Sequence, residues 1–157
     1  MNRVGVGFDA HAFDDARELV LGGVTVEGWP GLAGHSDADV LSHAVADALL
    51  GAAGLGDIGK MFPSDARWKD ASSLDLLAEV RHALDGGGWA IVNVDATIVA
   101  QAPTLDPFRD QMRANIARSL GTDPQSISIK ATTTDGMGFT GRAEGMAAIA
   151  VALVEQP

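Results

Sequence analysis

Asp9 and His11 stand two residues apart in RVGVGFDAHAF, and His43 follows within DADVLSHAVADALL. In an extended chain residues i and i+2 point to one face. Asp9 and His11 therefore share a face, opposite Val6 and Phe8, if the strand continues past Phe8. Two imidazoles and one carboxylate suit zinc and leave a fourth position open, as a catalytic zinc requires. Each residue alone has a plainer reading. A histidine beside an apolar helical stripe is more often packed and hydrogen-bonded, and D-x-H is a weak signal. Asp39, His43 and Asp47 fall at i, i+4 and i+8 on one helical stripe. One of these aspartates is expected either to accept the other N–H of a ligating His43 or to make ordinary ion pairs on a solvated face.

Two further segments point to phosphate. His35-Ser36 precedes a helix, where free N–H groups and the dipole favour anions. The plainer and compatible reading of Ser36 is a helix cap. The run KATTTDGMGFTGRAEG, Lys130 to Gly145, offers three threonine hydroxyls, glycines that admit close backbone approach, and Arg142 as a bidentate cation. It lacks the GxxxxGK[ST] pattern of a Walker A loop. Asp135 within it is suited to a magnesium ion that bridges phosphates. The alternative is a Thr-rich edge strand and a flexible loop. No nucleophile–base pair is evident.

The elements that must position these groups follow from periodicity and punctuation. Arg3–Phe8 reads as a strand, and Leu19–Leu21 and Val24–Val26 flank Gly22-Gly23 as a hairpin. GWPGLAG reads as a loop. A helix is expected from about Asp37 to Ala53, capped by Ser36, with Val40, Leu41, Ala44, Val45, Ala48 and Leu49 as its apolar stripe. GLGDIGKMFPSD reads as a Gly-rich loop. A second helix opens at Ser72 or Ser73, runs to about Leu84 and stops at Gly86-Gly87-Gly88. Ala90–Gln101 is a strand. Asp106-Pro107 opens a third helix that Gly121 stops. Ser126–Thr133 and Met146–Val154 are the last strands. The final strand is apolar on both faces, so helices can cover one side and a neighbouring subunit the other. The expected architecture is a mixed sheet with helices on one face.

Composition bounds the function. The 157 residues suit one domain, 1–157, and the 46% hydrophobic content supplies a core. No apolar run approaches the ~20 residues of a membrane span, and the N-terminus lacks a signal-peptide core. With no cysteine, disulfides and thiolate metal sites are excluded, and a cytoplasmic location is the default expectation. The net charge of −10 argues against a nucleic-acid or anionic-membrane surface. Positive charge for an anionic ligand must be local: a metal, a few basic side chains, backbone N–H groups.

Four stretches, RVGVGFDAHAF, GLAGHSDADVLSHAVADALLGAAGLGDIGKMFP, VDATIVAQAPTL and IKATTTDGMGFTGRAEG, occur in the order and spacing of one family. The chain resembles the 2-C-methyl-D-erythritol 2,4-cyclodiphosphate synthases of non-mevalonate isoprenoid biosynthesis. The resemblance implies an α/β fold of the α+β type, a mixed β-sheet with helices on one face, assembled as a homotrimer with active sites between neighbours. It implies a CMP-releasing, cyclising phosphorus–oxygen lyase that acts on 4-diphosphocytidyl-2-C-methyl-D-erythritol 2-phosphate. One Zn2+ per chain would sit on Asp9, His11 and His43, and Mg2+ or Mn2+ would bridge the substrate diphosphate near Asp135. His35 and Thr133 would assist the transition state, and His35 with Ser36 would hold the 2-phosphate region. Asp57 and Gly59 would bind the ribose, and Ala100, Pro103 and Leu105, with Ala131 and Thr132, would wrap cytosine and phosphates. Asp9, His11, Ile58, Phe62, Asp65, Thr134 and Asp135 complete the implied substrate contacts. Phe139 and Arg142 would lie near an intersubunit channel where an isoprenoid diphosphate can bind.

The chain departs from the family pattern at four places. Asp135 stands in place of Glu, Thr104 in place of Lys, and Ala143 in place of Gly, which stiffens that turn. FPSDARW is one residue short in the flexible segment over the site. The rival readings are a zinc-dependent phosphohydrolase and a non-catalytic metal or isoprenoid-phosphate binding protein.

Overall fold

The computed structural model describes residues 1–157. Ten elements follow in chain order: β1 (Asn2–Leu21), β2 (Val24–Leu32), α1 (Val40–Ala53), α2 (Ile58–Met61), α3 (Ser73–Gly86), β3 (Ala90–Val99), α4 (Arg109–Leu120), β4 (Ile127–Thr132), α5 (Gly138–Gly141) and β5 (Gly145–Glu155). The five strands form one sheet in the order β2-β1-β5-β3-β4. Only β3 and β4 run parallel; the other pairs are antiparallel. The sheet is therefore mixed, as expected.

The first strand is much longer than Arg3–Phe8. It pairs with β5 from Asn2↔Glu155 to Ala12↔Gly145, then passes irregularities and pairs with β2 from Phe13↔Leu32 to Leu21↔Val24. The extended geometry thus carries through Asp9 and His11. The GWPGLAG segment is not a loop up to its end. β2 continues to Leu32, because Gly28 (φ 80°) absorbs a left-handed kink and lets Pro30, Gly31 and Leu32 pair again with β1. Gly22 and Gly23 both take positive φ, 54° and 71°, as a type I′ hairpin turn requires.

α1 begins at Val40 rather than near Asp37. Ala38 sits in the left-handed region (φ 56°), so helical geometry starts only after it. Asp39, not Ser36, is the cap, accepting from the Ser42 N–H at 3.0 Å. This carboxylate is fully buried and also accepts from the Gly22 and Gly23 N–H groups, each at 2.9 Å, and from the Ser42 hydroxyl at 2.8 Å. It ties the hairpin turn to the start of α1. The third helix opens as a 3-10 turn over Asp106–Phe108, and α4 proper starts at Arg109.

α1 crosses β1 and β5 on one face of the sheet, and α3 packs on α1 and α4. Gly5 and Gly7 allow this approach. A methyl at Gly7 would collide with the Ala44 carbonyl, and one at Gly5 with the Ala48 carbonyl. Eleven of the 14 residues of α1 are buried, so the helix is the centre of the core. The opposite face of the sheet is bare in the single chain: Val4, Val6, Phe8, Ile149 and Val151 are exposed.

Candidate active site

β1 supplies Asp9 and His11 to the helix-covered face, and α1 supplies His43, next to the Ala44 that lies against Gly7. The small residues at this crossing bring the three side chains together. Their donor atoms all lie within 4.8 Å of one another. His11 Nε2 is 2.7 Å and His43 Nδ1 3.0 Å from Asp9 Oδ2, and the two ring nitrogens are 3.3 Å apart. His11 Nδ1 faces the Ala33 carbonyl at 2.7 Å, and a carbonyl only accepts, so Nδ1 carries the proton. His11 Nε2 then presents a lone pair. His43 is engaged through Nε2 by Ser73 Oγ at 2.9 Å and Ser36 Oγ at 3.1 Å, so Nδ1 faces Asp9.

This arrangement fits a cation. Three acceptors converge, and no hydrogen lies between them unless an imidazole is protonated. Burial pushes the Asp9 carboxyl up, but the hydrogen bonds and charges of His11 and His43 outweigh it and hold Asp9 well below the usual carboxylate range. Burial pushes His11 down; the Asp9 carboxylate and the Ala33 carbonyl outweigh it and raise His11 above its ordinary value.

The triad opens on a cleft of about 230 Å³, lined by His11, His35, Ser36, His43, Ile58, Gly59 and Phe62. Ser64, Trp68 and Leu76 also line it and were not evident in the sequence, because they lie on a loop and a helix without a motif. Asp57 caps α2 by accepting from the Lys60 N–H at 2.8 Å. His35 Nε2 donates to the Asp65 carbonyl at 2.7 Å, which holds the 62–69 segment over the cleft.

Two expectations about this half need correction. Neither Asp39 nor Asp47 reaches His43. Asp39 is spent on the hairpin turn and the helix start, and Asp47 accepts from the Ile58 N–H at 2.8 Å. The partner of the outward His43 nitrogen is Ser73, on α3. The N-terminus of α1 is also closed to an external anion, because the Asp39 carboxylate already occupies it. Ser36 Oγ accepts from the Ala38 N–H at 3.3 Å in a local turn.

A second cleft, of about 250 Å³, is lined by Ala100, Gln101, Ala102, Pro103, Thr104, Leu105, Asp106, Ala131, Thr132 and Thr133. It lies at the C-terminal ends of the parallel pair β3 and β4. The two clefts share no residue, so His35 and Thr133 line different clefts of one chain. Asp135 takes φ 52°, and its N–H donates to Thr133 Oγ1 at 3.3 Å. The neighbouring Gly136 N–H donates to the Gln101 side chain at 3.1 Å. Thr134 is turned inward and donates to the Met137 carbonyl at 2.6 Å. Arg142 is not a free cation: it pairs with Glu144 at 2.9–3.0 Å. Phe139 is exposed on α5. Ala143 is held at φ 56°, a left-handed conformation that glycine adopts without strain.

Comparison with known proteins identifies the family. The model of the YgbB family matches residues 2–155. The 2-C-methyl-D-erythritol 2,4-cyclodiphosphate synthase of Syntrophomonas wolfei is 57% identical over 155 residues, covering 98% of this chain and 99% of that protein. The bifunctional IspDF of Campylobacter jejuni superposes with a TM-score of 0.96 at 42% identity, over 100% of this chain and 43% of that one. The Plasmodium falciparum IspF in its CDP complex superposes with a TM-score of 0.85 at 31% identity, over 99% of this chain and 96% of that one. With a partly buried two-histidine, one-carboxylate cluster on such a sheet and a family match over nearly its whole length, the chain belongs to the YgbB family, alongside the 2-C-methyl-D-erythritol 2,4-cyclodiphosphate synthases.

Proposed function

We propose that the chain converts 4-diphosphocytidyl-2-C-methyl-D-erythritol 2-phosphate to 2-C-methyl-D-erythritol 2,4-cyclodiphosphate and CMP, a step of the non-mevalonate route to isoprenoid precursors. The observation that carries this reading is the convergence of Asp9, His11 and His43 on one wall of a cleft that also contains His35 and Ser36. The 2-phosphate attacks the β-phosphorus and CMP leaves. The attacking oxygen is already anionic near neutral pH, so no general base is required. Asp9, His11 and His43 would hold a zinc ion, which would supply Lewis-acid polarisation of the phosphoryl oxygens, and Asp135 would hold a magnesium or manganese ion, which would neutralise diphosphate charge.

The chain itself supplies position. His35 and Ser36 hold the 2-phosphate end over the metal cleft. Phe62, Ile58 and Leu76 give that cleft an apolar wall for the methylerythritol carbons. Asp57 and Gly59 receive the ribose. Ala100, Pro103, Leu105, Ala131 and Thr132 receive the cytosine, and Thr133 the transferring phosphate. Holding both ends in attack geometry is worth ~7–11 kcal/mol.

A homotrimer accounts for two features together. The residues assigned to one substrate line two clefts with no shared member, and the exposed apolar face of β1 and β5 needs cover. In the trimer the metal cleft of one chain faces the nucleotide cleft of the next. The reaction test is turnover in ¹⁸O-labelled water with product analysis by mass. CMP and an unlabelled cyclic diphosphate are expected. Label in an open-chain bisphosphate formed in step with CMP would establish a phosphohydrolase, and zinc binding without CMP release a binding protein.

A further inference from the structure

Ser73 is almost fully buried at the start of α3, and its hydroxyl faces two groups. On one side it meets Asp37 Oδ1, and the Ser73 N–H donates to Asp37 Oδ2 at 2.9 Å. On the other side it meets His43 Nε2 at 2.9 Å. A hydroxyl has one hydrogen, and an ionised carboxylate only accepts. The hydroxyl hydrogen therefore goes to Asp37, and Ser73 Oγ has only lone pairs left for His43. His43 Nε2 must then carry its hydrogen, which leaves the lone pair on Nδ1, the nitrogen that faces Asp9 and His11. Ser36 Oγ lies on the same Nε2 side and does not reverse this direction.

We infer that Asp37 and Ser73 are positioning residues for the metal, fixing the tautomer and ring orientation of His43 through a carboxylate–hydroxyl–imidazole relay. The inference rests on the metal reading of Asp9, His11 and His43. His11 is oriented by a backbone carbonyl, which substitution cannot remove. His43 depends on side chains from two other segments. Asp37 is itself fixed: its N–H donates to the Ala71 carbonyl at 3.0 Å, and its Oδ1 accepts from the Asp39 N–H at 3.1 Å. The relay thus joins the turn before α1 to the first residue of α3 and converges on one ligand. Removing such an outer partner weakens metal binding by roughly 10–100-fold in comparable sites.

The test is zinc affinity of the full-length chain, measured by competition with a chromophoric chelator. Ser73→Ala is expected to weaken zinc binding by at least about tenfold, and Asp37→Asn in the same direction. Excess zinc is expected to restore most of the turnover of Ser73→Ala, which a misfolded variant would not do. Ser72→Ala is the control. It changes the adjacent cap of the same helix, whose side chain makes no cap hydrogen bond, and it is expected to keep wild-type affinity. Wild-type zinc affinity in both Ser73→Ala and Asp37→Asn overturns the relay. So does an equal loss in Ser72→Ala, which would reduce the effect to damage at the helix start. A wild-type chain that binds no zinc overturns the metal reading itself, and the relay with it.

Discussion

At the scale of single residues, the metal triad competes with its own proton. When protonated, His11 donates through Nε2 to Asp9, which raises it above its ordinary value against the effect of burial, and that proton must leave before a metal binds. The metal-free site holds more protons than the loaded one, so apparent affinity rises with pH. Below the raised His11 value it should fall about tenfold per pH unit for one displaced proton. Zinc titrations buffered by chelator between pH 5.5 and 8 on the order of half-unit steps check this; a flat profile would mean that His11 holds no displaceable proton. Asp39 is a different kind of buried acid. Burial and the charge of Asp37 push it up, while the N–H groups of Ser42, Gly22 and Gly23 pull it down. Its value is structural, since two oxygens accept four hydrogen bonds. Asp39→Asn keeps one acceptor oxygen and turns an NH₂ toward donors. A loss of about 1–3 kcal/mol in urea unfolding is expected, with the triad ligands unchanged.

At the scale of elements, the crossing of α1 over β1 sets the site. His43 adjoins Ala44, and Ala44 lies against Gly7, two residues before Asp9. Gly7→Ala forces the helix away from the strand. It is expected to cost about 1–3 kcal/mol of stability and also to reduce zinc content, because His43 moves from Asp9 and His11. Thermal melts and metal analysis of the same preparation test both effects; a stable variant with full zinc would show that the crossing has slack. Helix existence was legible in the sequence. The apolar stripe of α1, the Gly121 stop and the Gly22-Gly23 hairpin all stand where periodicity and glycine placed them. Element boundaries were less legible. Ser36 is a chemically plausible cap, but Ala38 adopts a left-handed φ and shifts the cap to Asp39, a choice made by the hairpin N–H groups that Asp39 also satisfies.

For the whole molecule, the bare face of the sheet and the divided site make one prediction. Sedimentation or light scattering at micromolar concentration should give three times the 16.2 kDa of the chain. Val6→Glu, which puts a charge on that apolar face, should lower the mass toward one chain while far-UV circular dichroism is retained. A wild-type monomer would remove the trimer and leave the His35 and Thr133 clefts unconnected. No helix of the chain is long and apolar enough to cross a membrane.

The sequence by itself determined the ligand types, their one-face alternation on β1 and the family-specific order of motifs, because these depend on side-chain chemistry and the local periods of strand and helix. Stretches that the family resemblance singled out line the two clefts: His35, Ser36, Ile58, Gly59 and Phe62 in one, and Ala100, Pro103, Leu105, Ala131 and Thr132 in the other. Only the tertiary structure decided the partners. Asp39 and Asp47 share the stripe of His43 on α1, and helical spacing offered them to it. Each instead meets a backbone N–H from another segment, while His43 takes Ser73 from α3. An unpaired N–H in the core is costly wherever it lies along the chain. Hydrogen-bond assignment is therefore settled among all groups that packing brings together, and sequence spacing lists only those on one element.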